Sequence, residues 1–463
     1  MKASPNILII VTDQQNIDTI AAYRYHFSHE AYGCHWLKTP NLDRLVEQGY
    51  SFLESHSCNP VSCPARSTMW TGRYSTETGL TYNNIGIDKD VPNMGQWFEK
   101  HSNYDRVYCG KWHAGGAWNY PDVSGNRKVP GFETLPVSVH GTGDFNDFQV
   151  SGAVRAYIQN HSCDRPFLVV AGLMNPHDIC YWAQGEWGKK IVPDQDLFRL
   201  GEKLPPLPPN FNFDFVDPDP RSQQEKGELE WKNYIYDYLR MVEKLDQDVG
   251  RMLEAVDSRK DETLVVFTAD HGEGAARHRR VSKWHPFEHS VKIPLIYYLP
   301  GTIRAQVMDT DHLVSQVNLL PTICDFAGIP DPSDSRGVSL RSILVDQDAE
   351  LELNTVFSEF RHIARVVRKG DFKYVKYYEY SREPDKPFVR KSDGEAEKFV
   401  SCVGSERYRE DNKKLLFNIK EDPWETVNLC SDPDYLAKVN ELETSLVNEF
   451  ELVVKPGTHY DRN

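Results

Sequence analysis

Three long apolar segments constrain the fold of this chain more than any other feature. Residues 6–12, 166–173 and 263–268 are almost entirely aliphatic, and polar residues follow each segment directly. Segments of this kind are typical of strands that are covered on both faces, as in a parallel sheet flanked by helices. In such sheets, ligand sites form beyond the carboxyl ends of the strands. The sequence therefore predicts an α/β fold with its functional residues after the strands.

The remaining pattern predicts helices around this sheet and a smaller second domain. Residues 39–49 predict a helix with Thr39 as its cap and Gly49 as its stop, and apolar spacing predicts a long helix over 229–256. Further segments predict strands at 105–110 and 293–299, a helix over 313–327 that ends at Gly328, and a surface loop over 205–220.

The chain is long enough for two domains, because single cores stop growing at about 250–300 residues. From about residue 350 the pattern changes to short strands and one closing helix. These segments are the strands 356–358, 364–368, 372–380 and 415–419 and the helix 433–452. We expect a mostly parallel, mixed sheet flanked by helices in residues 1–350, and a C-terminal α+β subdomain, an antiparallel sheet with a helix, in residues 351–463.

Composition excludes several classes of function. The formal net charge of −15 argues against nucleic acid as the main partner. No run of about 18 apolar residues predicts a transmembrane helix. The nine cysteines include no CxxC pair, which favours buried thiols over a disulfide framework or a zinc site. Because the first residues lead straight into a strand, we expect a cytoplasmic chain, or a periplasmic or secreted one that has lost its leader.

One segment has the features of a nucleophile at the start of a helix. Ser62 is suited to the N-cap position, Pro64 to the first turn, and Gly72 to the end of the helix. The unpaired N–H groups of a helix N-terminus favour an anion. A Ser-x-Pro segment more often only begins a helix, so the interpretation depends on what the rest of the chain supplies.

Carboxylates follow two of the predicted strands. Asp13-Gln14 and Asp270-His271, together with Ser62, would form an oxygen-rich site with one nitrogen ligand. Such ligands suit a hard divalent cation, Ca²⁺ before Mg²⁺. Either aspartate alone is more simply explained as the cap of a neighbouring helix. The pair of strand ends beside the Ser62 helix favours the metal site.

Cationic side chains and histidines are predicted at the same edge of the sheet. Arg66 lies one helical turn after Ser62, where its guanidinium could hold the nucleophile's oxygen. A single lysine or histidine is usually solvated or already hydrogen-bonded. Four of them follow strands or loops at this edge and could converge on one anion, namely Lys111, His113, His177 and Lys283.

These residues occur in a pattern that resembles the sulfatase family of the alkaline phosphatase superfamily. The family's signature is Cys or Ser, then Pro two, Arg four and Thr-Gly nine and ten residues later, and Ser62 fits it where Cys63 does not. Other similar segments are 5–14, 110–113, 175–177, 268–273, 283–290 and 416–429. Gln14 stands where a second Asp is commoner, and Phe287 where Tyr is common.

The resemblance implies a hydrolase that acts on sulfuric ester bonds. In such enzymes Ser62 would be oxidised by a serine-type maturase to formylglycine, whose hydrate has one hydroxyl to attack sulfur and another to expel sulfate. Asp13, Gln14, Ser62, Asp270 and His271 would hold the cation, and Arg66 would orient the diol. Lys111 and Lys283 would hold the sulfate, His113 would act as a base, and His177 would protonate the leaving alcohol.

The substrate is less constrained than the reaction. Six aromatic residues fall in loops near the predicted site, where they could stack on a sugar or simply pack under the loops: Trp118, Tyr120, Tyr181, Trp182, Trp187 and Trp284. We favour a sulfated carbohydrate of the glycosaminoglycan type. The alternatives are a phosphonate monoester or phosphodiester hydrolase, a choline-sulfatase-like enzyme, and a non-catalytic anion-binding protein in which Ser62 stays a serine.

Overall fold

Two main β-sheets organise the protein. The computed structural model describes residues 4–23, 26–27, 36–83, 86–115, 128–137, 143–162, 164–183, 203–213, 226–259, 262–360, 364–377 and 414–451. The strands are β1 (Asn6–Asp13), β2 (Tyr50–Phe52), β3 (Ser55–His56), β4 (Asp105–Gly110), β5 (Glu133–Thr134), β6 (Phe167–Pro176), β7 (Thr263–Ala269), β8 (Leu295–Tyr298), β9 (Val307–Asp309), β10 (Val314–Ser315), β11 (Thr355–Phe360), β12 (Ala364–Lys369), β13 (Phe372–Tyr377) and β14 (Lys414–Asn418).

The larger sheet has eight strands in the order β5-β4-β6-β1-β7-β8-β2-β9. The strands from β5 to β7 run parallel, whereas β8 runs antiparallel to both β7 and β2. All eight residues of β1 are buried, because hydrophobic clusters cover both faces of the strand. This mixed, mostly parallel sheet confirms the predicted fold class.

Helices flank the larger sheet and complete the smaller domain. They are α1 (Pro40–Gln48), α2 (Ser62–Thr71), α3 (Met94–His101), α4 (Gly143–Asn160), α5 (Ile179–Ala183), α6 (Glu228–Asp257), α7 (Glu288–Val291), α8 (Leu319–Ala327), α9 (Arg341–Val345) and α10 (Leu436–Glu451). The predicted helices at 39–49 and 229–256 are confirmed as α1 and α6.

The helix predicted over 313–327 begins later than expected. Val314 and Ser315 form β10, which pairs in parallel with β3, and α8 starts only at Leu319. A capping box between Ser315 and Asn318 begins the turn that precedes α8. The sequence prediction was wrong here because strand pairing with a distant segment overrides the local helical pattern. The predicted end at Gly328 is confirmed, with φ of 70°.

The smaller sheet consists of β11 to β14, all antiparallel, with α10 packed against it. Its first strand joins the larger domain, because Glu359 N–H donates to the Cys58 carbonyl at 2.8 Å. The predicted antiparallel sheet and closing helix are therefore confirmed. The division at residue 350 stays a prediction.

The cysteines in the described residues agree with the expectation of buried thiols. Cys58, Cys63, Cys109, Cys180 and Cys324 are buried thiols, and none of the cysteines in the described ranges forms a disulfide. Within those same ranges no helix has the length and apolarity needed to cross a bilayer. The described part of the predicted 205–220 loop, up to residue 213, contains neither strand nor α-helix.

Candidate active site

Four neighbouring parallel strands bring the predicted residues to one edge of the larger sheet. β1 ends at Asp13, Asp270 follows β7, Lys111 follows β4, and His177 follows β6. Because these strands are adjacent and parallel, their carboxyl ends meet, as expected for the ligand edge of an α/β sheet. The backbone is strained here, with positive φ at Gln14 (71°) and His113 (48°), a feature that clusters at functional sites.

Ser62 is the first residue of α2 and is fully buried. The sequence predicted it as the N-cap, which is wrong: the cap is Val61, whose carbonyl accepts from Ala65 N–H at 3.0 Å. The Ser62 hydroxyl is therefore not used for capping. Its oxygen lies 2.9 Å from Lys283 Nζ and 2.9 Å from His271 Nε2.

The His271 ring has one defined tautomer in this arrangement. Its Nδ1 lies 2.9 Å from the Gly272 carbonyl, to which only an N–H can donate. Nε2 thus carries the lone pair and accepts from the Ser62 hydroxyl, while Lys283 donates to the same oxygen. Burial, followed by the charge of Lys283, holds the pKa of His271 well below its usual range, so the ring is neutral.

Two buried carboxylates lie beside Ser62, and cations hold them in place. Asp13 Oδ2 is 2.6 Å from Lys111 Nζ and 3.4 Å from an Arg66 nitrogen, and Asp270 Oδ2 is 2.9 Å from Arg66 Nε. Burial raises the pKa of Asp13, but Lys111, Lys283 and the neighbouring cations more than offset it and keep that pKa well below its usual range. Burial and then the charge of Asp13 raise the pKa of Asp270 to about 6.

The same groups fit a divalent cation. Asp13, Asp270 and His271 each offer a ligand atom, and these atoms lie within 4.8 Å of one another. Asp13 Oδ1 is buried, accepts no hydrogen bond from any described residue, and has the Lys283 ammonium 3.6 Å away, beyond hydrogen-bond distance. A buried oxygen without a donor is costly unless a cation coordinates it. The carboxylate-rich set suits Ca²⁺ or Mg²⁺, as the sequence predicts.

Gln14 is held by Asp270 and by two partners that the sequence analysis did not single out, Glu273 and Cys180. Its Nε2 donates to Glu273 Oε2 and lies 3.2 Å from Cys180 Sγ, and its backbone N–H donates to Asp270 Oδ1 at 3.0 Å. An aspartate or glutamate here would face the Glu273 carboxylate, which explains the amide at this position. The predicted role of Gln14 as a metal ligand stays a prediction.

Arg66 contacts the carboxylates rather than the nucleophile. Besides Asp13 and Asp270, its guanidinium donates to the Lys111 carbonyl at 2.8 Å. Among the described residues it makes no hydrogen bond to Ser62. The side chain thus positions the ligands of the cation site, and the predicted contact with a diol at residue 62 stays a prediction.

His113 and His177 lie at the same edge of the sheet. Burial is the main cause that holds both pKa values well below the usual range, and the charge of Lys111 is the next. Lys283 contributes in the same direction to both. The predicted roles of His113 and His177 as base and acid stay predictions.

Three of the six predicted aromatic residues lie in the described ranges. The ring of Tyr181 is 6.4 Å from that of His177, Trp284 is 6.4 Å from Tyr82, and Trp182 packs at 5.0 Å against Tyr234. Trp118, Tyr120 and Trp187 lie outside the described residues. Tyr181 thus stands beside the predicted acid, whereas Trp284 packs against the cluster that contains Val61 and Phe287.

Comparison with known proteins identifies the family. The Sulfatase family model matches residues 5–329, and the model for the C-terminal part of N-sulphoglucosamine sulphohydrolase matches residues 276–451. The chain is 29% identical over 455 residues to a Delta 4,5-hexuronate-2-O-sulfatase of Bacteroides thetaiotaomicron, covering 93% of this chain and 85% of that protein.

Solved structures agree on the fold. The structure of a 2-O GAG sulfatase has a TM-score of 0.74 at 24% identity, with 97% of this chain and 92% of that chain covered. The phosphonate monoester hydrolase of Agrobacterium radiobacter has a TM-score of 0.73 at 18% identity, with 97% and 96% covered. These likenesses confirm the alkaline phosphatase-like architecture. With the family match over most of its length, the chain belongs to the sulfatase family and is a sulfuric ester hydrolase.

Proposed function

We propose that this enzyme removes sulfate from a sulfated carbohydrate, with a formylglycine made from Ser62 as its nucleophile. The observation that carries the proposal is the position of Ser62 Oγ, 2.9 Å from both Lys283 Nζ and His271 Nε2 and beside the Asp13–Asp270 pair. In the mature enzyme this oxygen stands for one hydroxyl of the hydrated aldehyde. A serine-type maturase is the partner that this chemistry requires.

Asp13, Asp270 and His271 would hold a Ca²⁺ ion, with Gln14 and the hydroxyl at residue 62 as further ligands. When bound, such an ion favours ionisation of the nucleophile and offsets the charge of the sulfate group. Arg66 keeps both carboxylates ionised and oriented through its contacts of 2.9 Å to Asp270 and 3.4 Å to Asp13.

Lys111 and Lys283 would bind the sulfate oxygens. Both ammonium groups are 3% exposed, so their charges act in a site with little water. Lys283 lies 3.6 Å from Asp13 Oδ1 and Lys111 lies 2.6 Å from Asp13 Oδ2, which fixes both groups before substrate arrives. Fixed charges of this kind stabilise developing negative charge without reorganisation.

The two histidines would move the protons. His113 is neutral because of its lowered pKa, which is the state that a base requires. His177 must carry a proton to act as the acid, and the lysines oppose this in the free enzyme. A bound sulfate group offsets Lys111 and Lys283 and so raises the pKa of His177 in the complex. Such a base or acid contributes ~10²–10⁴ in rate.

A sugar is the substrate class that the surroundings favour. Tyr181 is half-buried beside His177 and Trp284 is half-buried beside Tyr82, and an aromatic face at either position can pack on a sugar ring. The relative named Delta 4,5-hexuronate-2-O-sulfatase, which aligns over 93% of this chain, supports a sugar of the glycosaminoglycan type.

A substrate panel tests the proposal. Enzyme co-expressed with a serine-type maturase is assayed for sulfate release from mono- and disaccharides sulfated at defined positions, and for hydrolysis of a phenyl phosphonate monoester. We expect kcat/KM for one sugar sulfate to exceed that for the phosphonate monoester by about 100-fold. We expect a Ser62→Ala variant to be inactive. Preference for the phosphonate ester, or equal sulfate release by Ser62→Ala, would contradict the proposal.

A further inference from the structure

A second group of buried metal-binding side chains involves none of the Ser62-site residues. His278, His289 and Glu425 each offer one ligand atom, and these atoms lie within 4.8 Å of one another. His285 adjoins them, with its ring centroid 4.6 Å from that of His289. We propose that these side chains form a binding site for a divalent transition-metal ion, with Zn²⁺ as the ion that the donors fit best.

Ring nitrogens without partners indicate that a ligand is needed here. His285 is fully buried, and while one ring nitrogen interacts with the Ser282 backbone, the other has no hydrogen-bond partner among the described residues. His289 is 8% exposed, and its buried Nε2 likewise has no partner in the described ranges. Buried polar side-chain atoms are nearly always hydrogen-bonded, and a coordinated ion satisfies a nitrogen lone pair equally well.

The other two side chains are oriented as metal ligands usually are. His278 Nδ1 lies 2.7 Å from the Phe213 carbonyl and donates there, so Nε2 is the ring nitrogen that would coordinate an ion; the Trp424 backbone also interacts with this ring. Glu425 Oε2 accepts from the backbone N–H of Glu288 at 2.7 Å. Both ligands have left-handed backbones, with φ of 50° and 53°, a strain that persists where the surroundings fix a side chain.

The donor types select the metal. Two or three imidazoles with one carboxylate suit Zn²⁺, which prefers four nitrogen, sulfur or oxygen ligands. Ca²⁺ and Mg²⁺ prefer oxygen, so the cation predicted beside Ser62 would not compete strongly here.

Nearby charges are compatible with an added ion. Lys373 Nζ lies 2.8 Å from Glu425 Oε1 and 3.0 Å from Glu288 Oε1, so it keeps a carboxylate partner when Glu425 is shared with a metal. Arg280 is also buried and packs over the Phe287 ring. The carboxylates of Glu288 and Glu425 offset the charge of Lys373.

The site would connect two parts of the enzyme. His278, His285 and His289 flank Lys283 in sequence, whereas Glu425 lies between β14 and α10 of the smaller domain. An ion held by both parts would fix the segment that presents Lys283 to Ser62. Its role is structural, and its binding can be measured without any sulfatase assay.

Cobalt binding tests the site directly. The full-length enzyme is freed of transition metals, saturated with Ca²⁺, and titrated with Co²⁺ while the visible absorption of tetrahedral cobalt is followed. We expect one equivalent to bind to the wild type and to Asp270→Asn, and none to the His278→Ala/His289→Ala variant. Zn²⁺ should displace the cobalt and raise the wild-type Tm by about 4 °C.

Three results would overturn the site. These are the absence of stoichiometric Co²⁺ binding to the wild type, a band that persists in the double histidine variant, and a band that disappears in Asp270→Asn. If the double variant does not fold, Glu425→Gln replaces it. We expect its affinity for Co²⁺ to be about tenfold lower than that of the wild type, and an unchanged affinity for Co²⁺ contradicts the site.

Discussion

Replacing Lys283 with Met should remove a large part of the catalytic rate. At the observed 2.9 Å between Nζ and Ser62 Oγ, and with an effective dielectric constant of about 20, full unit charges attract by about 6 kcal/mol. If this oxygen carries half a negative charge as it loses its proton for attack, that charge is favoured by about 3 kcal/mol, or ~100-fold in rate. We therefore expect kcat to fall by about 100-fold or more in Lys283→Met. Removing a single hydrogen-bond donor that stabilises developing negative charge in an enzyme has an effect of this size.

The assay is steady-state sulfate release, with circular dichroism and Tm recorded to show that the variant is folded. Lys292→Met is the matched control, because this lysine lies in the same part of the chain but pairs with Glu54 at 2.6 Å. We expect the control to keep kcat within about twofold. A folded Lys283→Met enzyme with kcat within about fivefold of wild type would refute the assigned role.

Three further predictions concern charge. Dialysis against EDTA should abolish sulfate release, and Ca²⁺ should restore it better than Mg²⁺; activity that survives EDTA contradicts the carboxylate site. Gln14→Glu should lower the Tm measured in EDTA, because the new carboxylate faces Glu273. The double variant Gln14→Glu/Glu273→Gln should recover the wild-type Tm, and a Tm that stays low in the double variant argues against this pairing. Burial raises the pKa of Asp237 from 3.8 to about 7. The ionised carboxylate therefore destabilises the fold by up to about 4 kcal/mol above about pH 7, whereas the protonated group has no such cost below about pH 4. Asp237→Asn should thus raise the unfolding free energy at pH 8, and Asp246→Asn, whose amide nitrogen cannot accept the bonds that Oδ2 takes from Asn41 at the start of α1, should lower it; equal effects contradict the argument.

The sequence predicted the sheet well because its signal is local. A continuous apolar strand such as β1 is recognisable from its own residues, and the polar residue at its end must fall at the ligand edge of a parallel sheet. The positions of Asp13, Lys111 and Asp270 follow from this rule alone. The helical period of α6 is equally local, and its predicted bounds of 229–256 differ from the observed Glu228–Asp257 by one residue at each end.

Features that depend on distant partners could not be predicted. The direction of the Arg66 guanidinium is set by Asp13 and Asp270, which are remote in sequence, so helical spacing from Ser62 was a poor guide. The late start of α8 depends on the pairing of β10 with β3. The Glu273 contact of Gln14 joins residues 259 positions apart, and a single sequence contains no local signal for it.

The most direct test of the account is the mass of the peptide that contains Ser62, from enzyme made with a serine-type maturase. The account predicts a loss of two hydrogens at Ser62, or the corresponding hydrate, together with reaction of the new aldehyde with a hydroxylamine probe. The modified fraction should be proportional to the specific activity across preparations. Active enzyme with an unmodified Ser62 would contradict the formylglycine mechanism.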